Sequence, residues 1–308
     1  MNPRHLRYFL AVVDHGGVQK AAAKLHISQP SLSQVLRQLE QDLSITLFER
    51  RGRGVVLTEA GRVFLAPARR AIHGLDAARE SLDALRGLTT GTLRLIALPS
   101  LCLLPMPDLI AKFHQLHSGI QLSCIVAYDA AQLAAAIQSA TADVALGVDL
   151  PESPGMVRSE VGGQDLWLAL PPHVRPPSSM MTTNEFLQGM PVIAGMSGTK
   201  TRALLDAAIA ARTGATIAAE ISDRNMVVPL IQRGVGCGFV APAYAHVARS
   251  AGLEVIALNP RVTSTVHILH RSGSISPAAQ AFVELVRNSN IDVEHGTVSW
   301  PVETTDRD

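Results

Sequence analysis

Residues 21–50 read AAAKLHISQPSLSQVLRQLEQDLSITLFER, and the fold turns on where the apolar residues fall after Ser28. Leu32, Val35, Leu36, Leu39 and Leu43 recur at intervals of three and four, which on a helix makes one buried stripe. Ser28 can cap that helix, and Pro30 fits its first turn, where a missing N–H loses no hydrogen bond. The outer face then carries Ser31, Ser33, Gln34, Arg37, Gln38 and Gln41, all hydrogen-bonding groups. Residues 18–25 form a short, basic, alanine-rich segment whose Ala21, Ala22 and Ala23 allow a second helix to approach closely, with only His26 and Ile27 left for the turn. A short helix, a tight turn and a capped helix with a polar outer face are what reading a DNA major groove requires.

On the N-terminal side, Leu6, Phe9, Leu10 and Val13 mark one face of a first helix, and Gly16-Gly17 stops it. On the C-terminal side, two short strand-like stretches, 45–48 and 55–57, flank Arg51-Gly52-Arg53-Gly54 and predict a basic β-hairpin. Gln29, Ser31, Ser33, Gln34 and Arg37 are the groups placed to meet base edges, alongside Ser28 and Pro30 in the leading turn. Arg37 suits guanine or phosphate and Gln34 suits adenine. Lys24, Arg50, Arg51 and Arg53 are read as phosphate contacts, which position without specifying sequence. On spacing alone, a solvated helical bundle would share this pattern.

Thr58 and Glu59 open a long helix in which Phe64, Ala68, Ala71, Leu75, Ala78, Leu82 and Leu85 alternate by four and three, a seam for pairing with another helix. Pro67 is expected to kink or loosen it. One recognition helix reads few base pairs, so Phe64, Ala71, Leu75, Ala78, Leu82 and Leu85 are the candidate dimerisation residues, presenting two recognition helices to successive groove faces. Beyond Gly91, aliphatic strands alternate with helices, which predicts an α/β region with largely parallel sheets. The strand candidates are 93–98, 120–127, 144–148, 166–170, 192–194, 235–240 and 266–269. Residues 288–308 turn polar without periodicity and read as a loosely held tail.

The totals agree with this division. At 308 residues the chain exceeds one core. Its near-neutral net charge of +1 conceals a basic N-terminal segment, +5 over residues 1–90, against −4 for the remainder. A polyanion meets the basic end first. Cys102, Cys124 and Cys237 are far apart in sequence and match neither a zinc spacing nor a disulfide framework, so no metal is expected and buried apolar thiols are the plainer reading. No secretory segment opens the sequence and no apolar run is long enough to span a bilayer, which leads us to expect a cytoplasmic protein with no membrane partner.

RYFLAVVD at 7–14, the run 21–50 and LTEAG at 57–61 together closely resemble the N-terminal signature of the LysR-type transcriptional regulators. GTLRLI at 91–96, DVALG at 143–147 and VVPLIQRGVGCGFVAP at 227–242 resemble the family's C-terminal region more loosely. The resemblance implies an α+β multidomain chain: an N-terminal winged helix-turn-helix plus linker helix, then a C-terminal α/β two-subdomain, periplasmic-binding-protein-like (type 2) effector domain. Residues 1–58 would bind DNA and 59–90 would link and dimerise. Residues 91–289 would bind the effector, with subdomain one at 91–162 and 267–289 and subdomain two at 163–266; a flexible tail would occupy 290–308. The implied partners are double-stranded DNA, a second copy in a homodimer or homotetramer, RNA polymerase as a candidate, and a small-molecule effector.

By family position, and because they follow strands at one cleft, Ser100, Leu101, Tyr128, Val148, Met196, Ser197, Thr199 and Met226 are the candidate effector residues. Ser100, Ser197 and Thr199 would equally serve as helix caps, and the two methionines as core filler. Lys200 and Arg202 beside the 196–199 turn hint at a small anionic metabolite; no cofactor is expected. Three rival functions are weaker. An enzyme lacks support from any GxSxG, HExxH or P-loop motif. A thiol-based redox regulator of the same family would need a basic group or paired spacing at the cysteines, and a transport receptor would need a secretory signal.

Overall fold

The computed structural model describes residues 2–52, 54–85, 90–175, 182–273, 275–292 and 297–299. The N-terminal unit packs α1 (Pro3–Asp14), α2 (Val18–Lys24) and α3 (Gln29–Leu43) against the hairpin of β1 (Phe48–Arg51) and β2 (Gly54–Leu57) and the start of α4 (Glu59–Leu85). Its core is built from the residues the periodicity selects: Leu6, Phe9 and Val12 of α1, Ala21 and Ala22 of α2, and Leu32, Leu36 and Leu39 of α3. Phe9 stacks against Phe48 and Phe64, each with ring centroids 5.3 Å away, a spacing that adds specific attraction to the area buried.

Two contacts fix the hairpin to the helices. The Glu40 carboxylate of α3 accepts the backbone N–H of Leu47 at 2.8 Å and of Phe48 at 3.1 Å. Gly61 lets α4 cross so closely that a Cβ there would lie 2.2 Å from the Leu47 carbonyl oxygen. Strand pairing begins at Phe48 rather than at Ile45 as expected, because the chain at 45–47 is held by α3 instead of by a partner strand.

The C-terminal region has two lobes. Lobe one is a five-stranded sheet of order β4-β3-β5-β12-β6: β3 (Gly91–Ala97), β4 (Ile120–Val126), β5 (Val144–Val148), β6 (Met156–Asp165) and β12 (Thr263–Arg271), with α5 (Pro99–Leu103), α6 (Met106–Leu116), α7 (Ala130–Gln138) and α12 (Pro277–Asn288). Lobe two holds β7 (Trp167–Ala169) between β10 (Gly238–Val240) and β11 (Val255–Ala257), and a parallel pair, β8 (Pro191–Gly195) and β9 (Thr216–Ile221). Around them lie α8 (Thr183–Phe186), α9 (Lys200–Ala210), α10 (Val227–Gln232) and α11 (Pro242–Ser250). Each lobe has its own aliphatic core.

The sheets are mixed, not largely parallel. β3 runs parallel to β4 and β5, but β12 is antiparallel to both β5 and β6, and β7 is antiparallel to both neighbours. The reason is topological: the chain leaves lobe one along β6 and returns along β12, paired with it from Thr263↔Asp165 to Arg271↔Met156. Part of the expected tail is held, while residues 293–296 and 300–308 lie outside the described residues. β13 (Asn290–Asp292) pairs with β14 (Thr297–Ser299), and Ile291 is buried in the core of lobe one. Among the described residues no helix is long and apolar enough to cross a membrane.

Candidate functional site

The α3 face begins with its cap. Ser28 accepts the Ser31 N–H at 3.2 Å and its hydroxyl lies 2.7 Å from that of Ser31, so Ser28 serves the turn first. Gln29, Pro30, Ser31, Gln34 and Arg37 are exposed, and Ser33 is half-buried. Lys24 at the end of α2 and Arg50 and Arg51 on the hairpin are exposed as well, while Arg53 lies outside the described residues. Lys24, Arg37, Arg50 and Arg51 have no acidic partner among the described residues. Other arginines of the unit do: Arg7 pairs with Asp76, Arg62 with Glu59 and Arg69 with Asp14.

Along α4 the expected seam divides. Phe64 does not face outward: it packs with Ala68 and Ile72 into the N-terminal core. Farther along, Ala71, Leu75 and Ala78 are exposed, as is Leu82, whose exposure reaches 59%. The side chain of Leu85 lies outside the described residues. Val63 is also exposed, at 68%, but lies roughly 100–120° around the helix from Leu75 and Leu82 and so off their stripe.

Between the lobes is a cavity of about 190 Å³. Ser100 after β3, Tyr128 after β4, Val148 at the end of β5, and Met196 and Thr199 after β8 line it, as their places at strand ends suggested. Three candidates do not. Leu101 turns away into the core of lobe one, because successive residues of the short α5 point to different sides; Ser197 and Met226 are exposed outside the cavity. Thr199 caps α9 by accepting the Arg202 N–H at 3.3 Å while donating to the Met196 carbonyl at 2.9 Å.

The charges that hinted at an anion are already answered. Lys200 donates to Asp149 and to the Thr263 carbonyl, each at 2.6 Å, across the mouth. Arg202 is held by Asp206 at 2.8 Å and by Glu220. Burial opposes ionisation of Asp149, yet hydrogen bonds from Lys200 and the Thr265 N–H hold its carboxyl below the usual range. Sequence reasoning missed Arg224, Tyr244 and Thr201, which also line the cavity; each reaches it through the fold, and no local pattern marks them.

The thiols divide too. Cys102 on α5 and Cys124 on β4, remote in sequence, lie close enough to perturb each other, the Cys102 pKa being pushed up and the Cys124 pKa down. Cys124 is exposed, not buried, while burial pushes Cys237 up to about 12.

A groove-reading helix with a basic hairpin, a long helix bearing an exposed apolar stripe and a two-lobed domain closed over a cavity together define a ligand-responsive transcription regulator. The family models agree. "Bacterial regulatory helix-turn-helix protein, lysR family" matches residues 3–62, and "LysR substrate binding domain" matches residues 86–290. The chain belongs to the LysR family of transcriptional regulators. It is 29% identical over 290 residues to the HTH-type transcriptional regulator ClcR of Pseudomonas putida, covering 93% of this chain and 98% of ClcR. Among solved structures it resembles a full-length OxyR from Pseudomonas aeruginosa (TM-score 0.74, 20% identity, 93% of each chain). It also resembles CbnR, a LysR family regulator (TM-score 0.67, 23% identity, 93% of this chain and 98% of that one). CbnR is known in addition as a full-length complex with its target DNA.

Proposed function

We propose that this regulator binds duplex DNA as a homo-oligomer paired along α4, with α3 in the major groove, and that a small molecule held between the lobes sets its state. The observation that carries the reading is the set of Lys24, Arg37, Arg50 and Arg51, exposed and without acidic partners among the described residues, on the unit that presents the polar leading turn of α3. A cation left solvated on a folded surface is free to replace the counterions of a phosphate backbone. The exposed Leu75 and Leu82 on one side of α4 supply an apolar stripe for a second copy, and the DNA complex of CbnR lends the arrangement support. The relatives are transcriptional regulators, and we read this chain as a regulator and not a catalyst.

Fluorescence anisotropy with the duplex upstream of its own gene, against a scrambled duplex, tests this at several salt concentrations. Arg37→Ala should lose about 1–3 kcal/mol of discrimination between the two. Lys24→Ala, Arg50→Ala and Arg51→Ala should weaken both duplexes alike, each flattening the log–log salt slope by about 0.9. An absence of salt-dependent affinity for any duplex refutes the reading.

A further inference from the structure

Arg224, in the 3-10 turn Arg224–Met226, lines the cavity between the lobes and is half-buried. One amino group of its guanidinium donates to the Phe239 carbonyl at 3.0 Å, and no carboxylate pairs with it among the described residues. Burial pulls its pKa below the ordinary guanidinium value, with only Tyr244 acting the other way. Arginine stays charged even so. This sets it apart from Lys200 and Arg202, whose charges are neutralised by the chain's own acids.

Hydrogen-bonding groups converge beside Arg224. At Gly195, the last residue of β8, the position a Cβ would occupy lies 2.9 Å from Arg224 Nη1, 3.0 Å from Thr199 Oγ1 and 3.4 Å from Thr201 Oγ1. Gly195 does not adopt a positive φ; its missing side chain lets one guanidinium and two hydroxyls converge where a methyl group would crowd them. Tyr244, 3% exposed, also faces the cavity, and its hydroxyl has no hydrogen-bond partner among the described residues. Much of the remaining wall is apolar, from Leu98, Pro99, Val148, Leu166, Met196 and Ala241.

We propose that this cleft, taken as the small-molecule site as above, selects monocarboxylates with an apolar body, and that Arg224 receives the carboxylate beside the Thr199 and Thr201 hydroxyls. One uncompensated positive charge matches one negative charge. A neutral ligand leaves the half-buried guanidinium unpaired, and a dianion brings a second charge for which no second uncompensated cation lines the cleft among the described residues. A cavity of about 190 Å³ lies below the roughly 300–1,000 Å³ of sites for drug-sized ligands, so the guest is metabolite-sized.

The test is isothermal titration of the full chain with isosteric pairs, phenylacetate against phenylacetamide and hexanoate against hexanamide, and with the dicarboxylate adipate. The acids should bind at least about tenfold more tightly than their amides, as a charge-assisted contact requires, and more tightly than adipate. Arg224→Gln should abolish that preference. Gly195→Ala should weaken the acids by a similar factor without altering any charge, and it carries the test should Arg224→Gln fail to fold. Acids and amides binding equally to the native chain and to Arg224→Gln overturn the carboxylate assignment while leaving the cleft as the ligand site. Binding that survives Val148→Phe, which fills the cavity, locates the ligand elsewhere and overturns the underlying reading as well. No binding by any of the five probes overturns the monocarboxylate proposal.

Discussion

Replacing Glu40 with alanine should loosen the DNA-reading unit without touching its DNA-facing surface. One carboxylate oxygen accepts two backbone donors, Leu47 N at 2.8 Å and Phe48 N at 3.1 Å, and so ties the base of the hairpin to α3. Leu47 is 1% exposed, so its N–H has no route to water once the acceptor is gone, while Phe48 is only half-buried. A stranded buried donor costs about 1–3 kcal/mol, and a partly wetted one less, so Glu40→Ala should lose about 2–4 kcal/mol. Glu40→Gln keeps an acceptor of the same shape and should lose about 1 kcal/mol or less. Urea unfolding of the full chain, followed by circular dichroism, reads the N-terminal transition, since separate units need not unfold together. Equal losses for alanine and glutamine, or a loss under about 0.5 kcal/mol for alanine, would show that the hairpin is held by packing alone.

Gly61→Ala should destabilise the same unit by at least about 1–3 kcal/mol, because the new methyl would meet the Leu47 carbonyl at 2.2 Å and backbone on both sides must shift; thermal unfolding checks it. Leu75→Glu with Leu82→Glu should shift the oligomer toward monomer in sedimentation and abolish operator binding while the effector domain stays folded. Burial, and then the nearby Arg158, lower the His267 pKa below 6.5. Its contribution to stability is therefore complete above pH 6.5 and lost as pH falls through the lowered value. His267→Gln should flatten stability against pH in that window, and an unchanged profile from about pH 7 to 5 would remove His267 from the account.

What could be read from the sequence was local and periodic. The Leu32, Leu36 and Leu39 stripe, the Ser28 cap and the strand ends leading to Ser100, Tyr128 and Thr199 each follow from residues within one or two turns of each other. The failures were long-range. The heptad spacing runs smoothly through Phe64, yet the first turns of α4 pack on α1 and claim Phe64 for the chain's own core. β6 escaped notice because MVRSEVGGQD mixes polar residues and two glycines with few aliphatics; it is a strand through its pairing with β12, about a hundred residues away. Arg224 carries no local mark in the sequence, and what sets it apart is the lack of a carboxylate partner in space among the described residues.

The geometry also shows where a ligand's influence can travel. β5 is five residues long, about 17 Å, and is anchored at both ends. Just before it, Asp143 accepts the Arg94 N–H at 2.9 Å and sits 3.4 Å from His73 of α4. Just after it, Asp149 holds Lys200 of lobe two across the mouth of the cavity. The two joints differ in strength. Lys200 and Asp149 are 38% and 41% exposed, and an ion pair so wetted is worth about 1 kcal/mol or less. Asp143 is 8% exposed; burial opposes its charge, and His73 and Arg94 prevail, keeping its carboxyl below the usual range. Removing one partner of such a buried pair costs about 3–5 kcal/mol. Lobe one is therefore joined more firmly to α4 than it is to lobe two across the mouth of the cleft. About 1 kcal/mol of bridge energy biases closure only about fivefold, so the decisive share must come from a ligand that binds the two arrangements unequally.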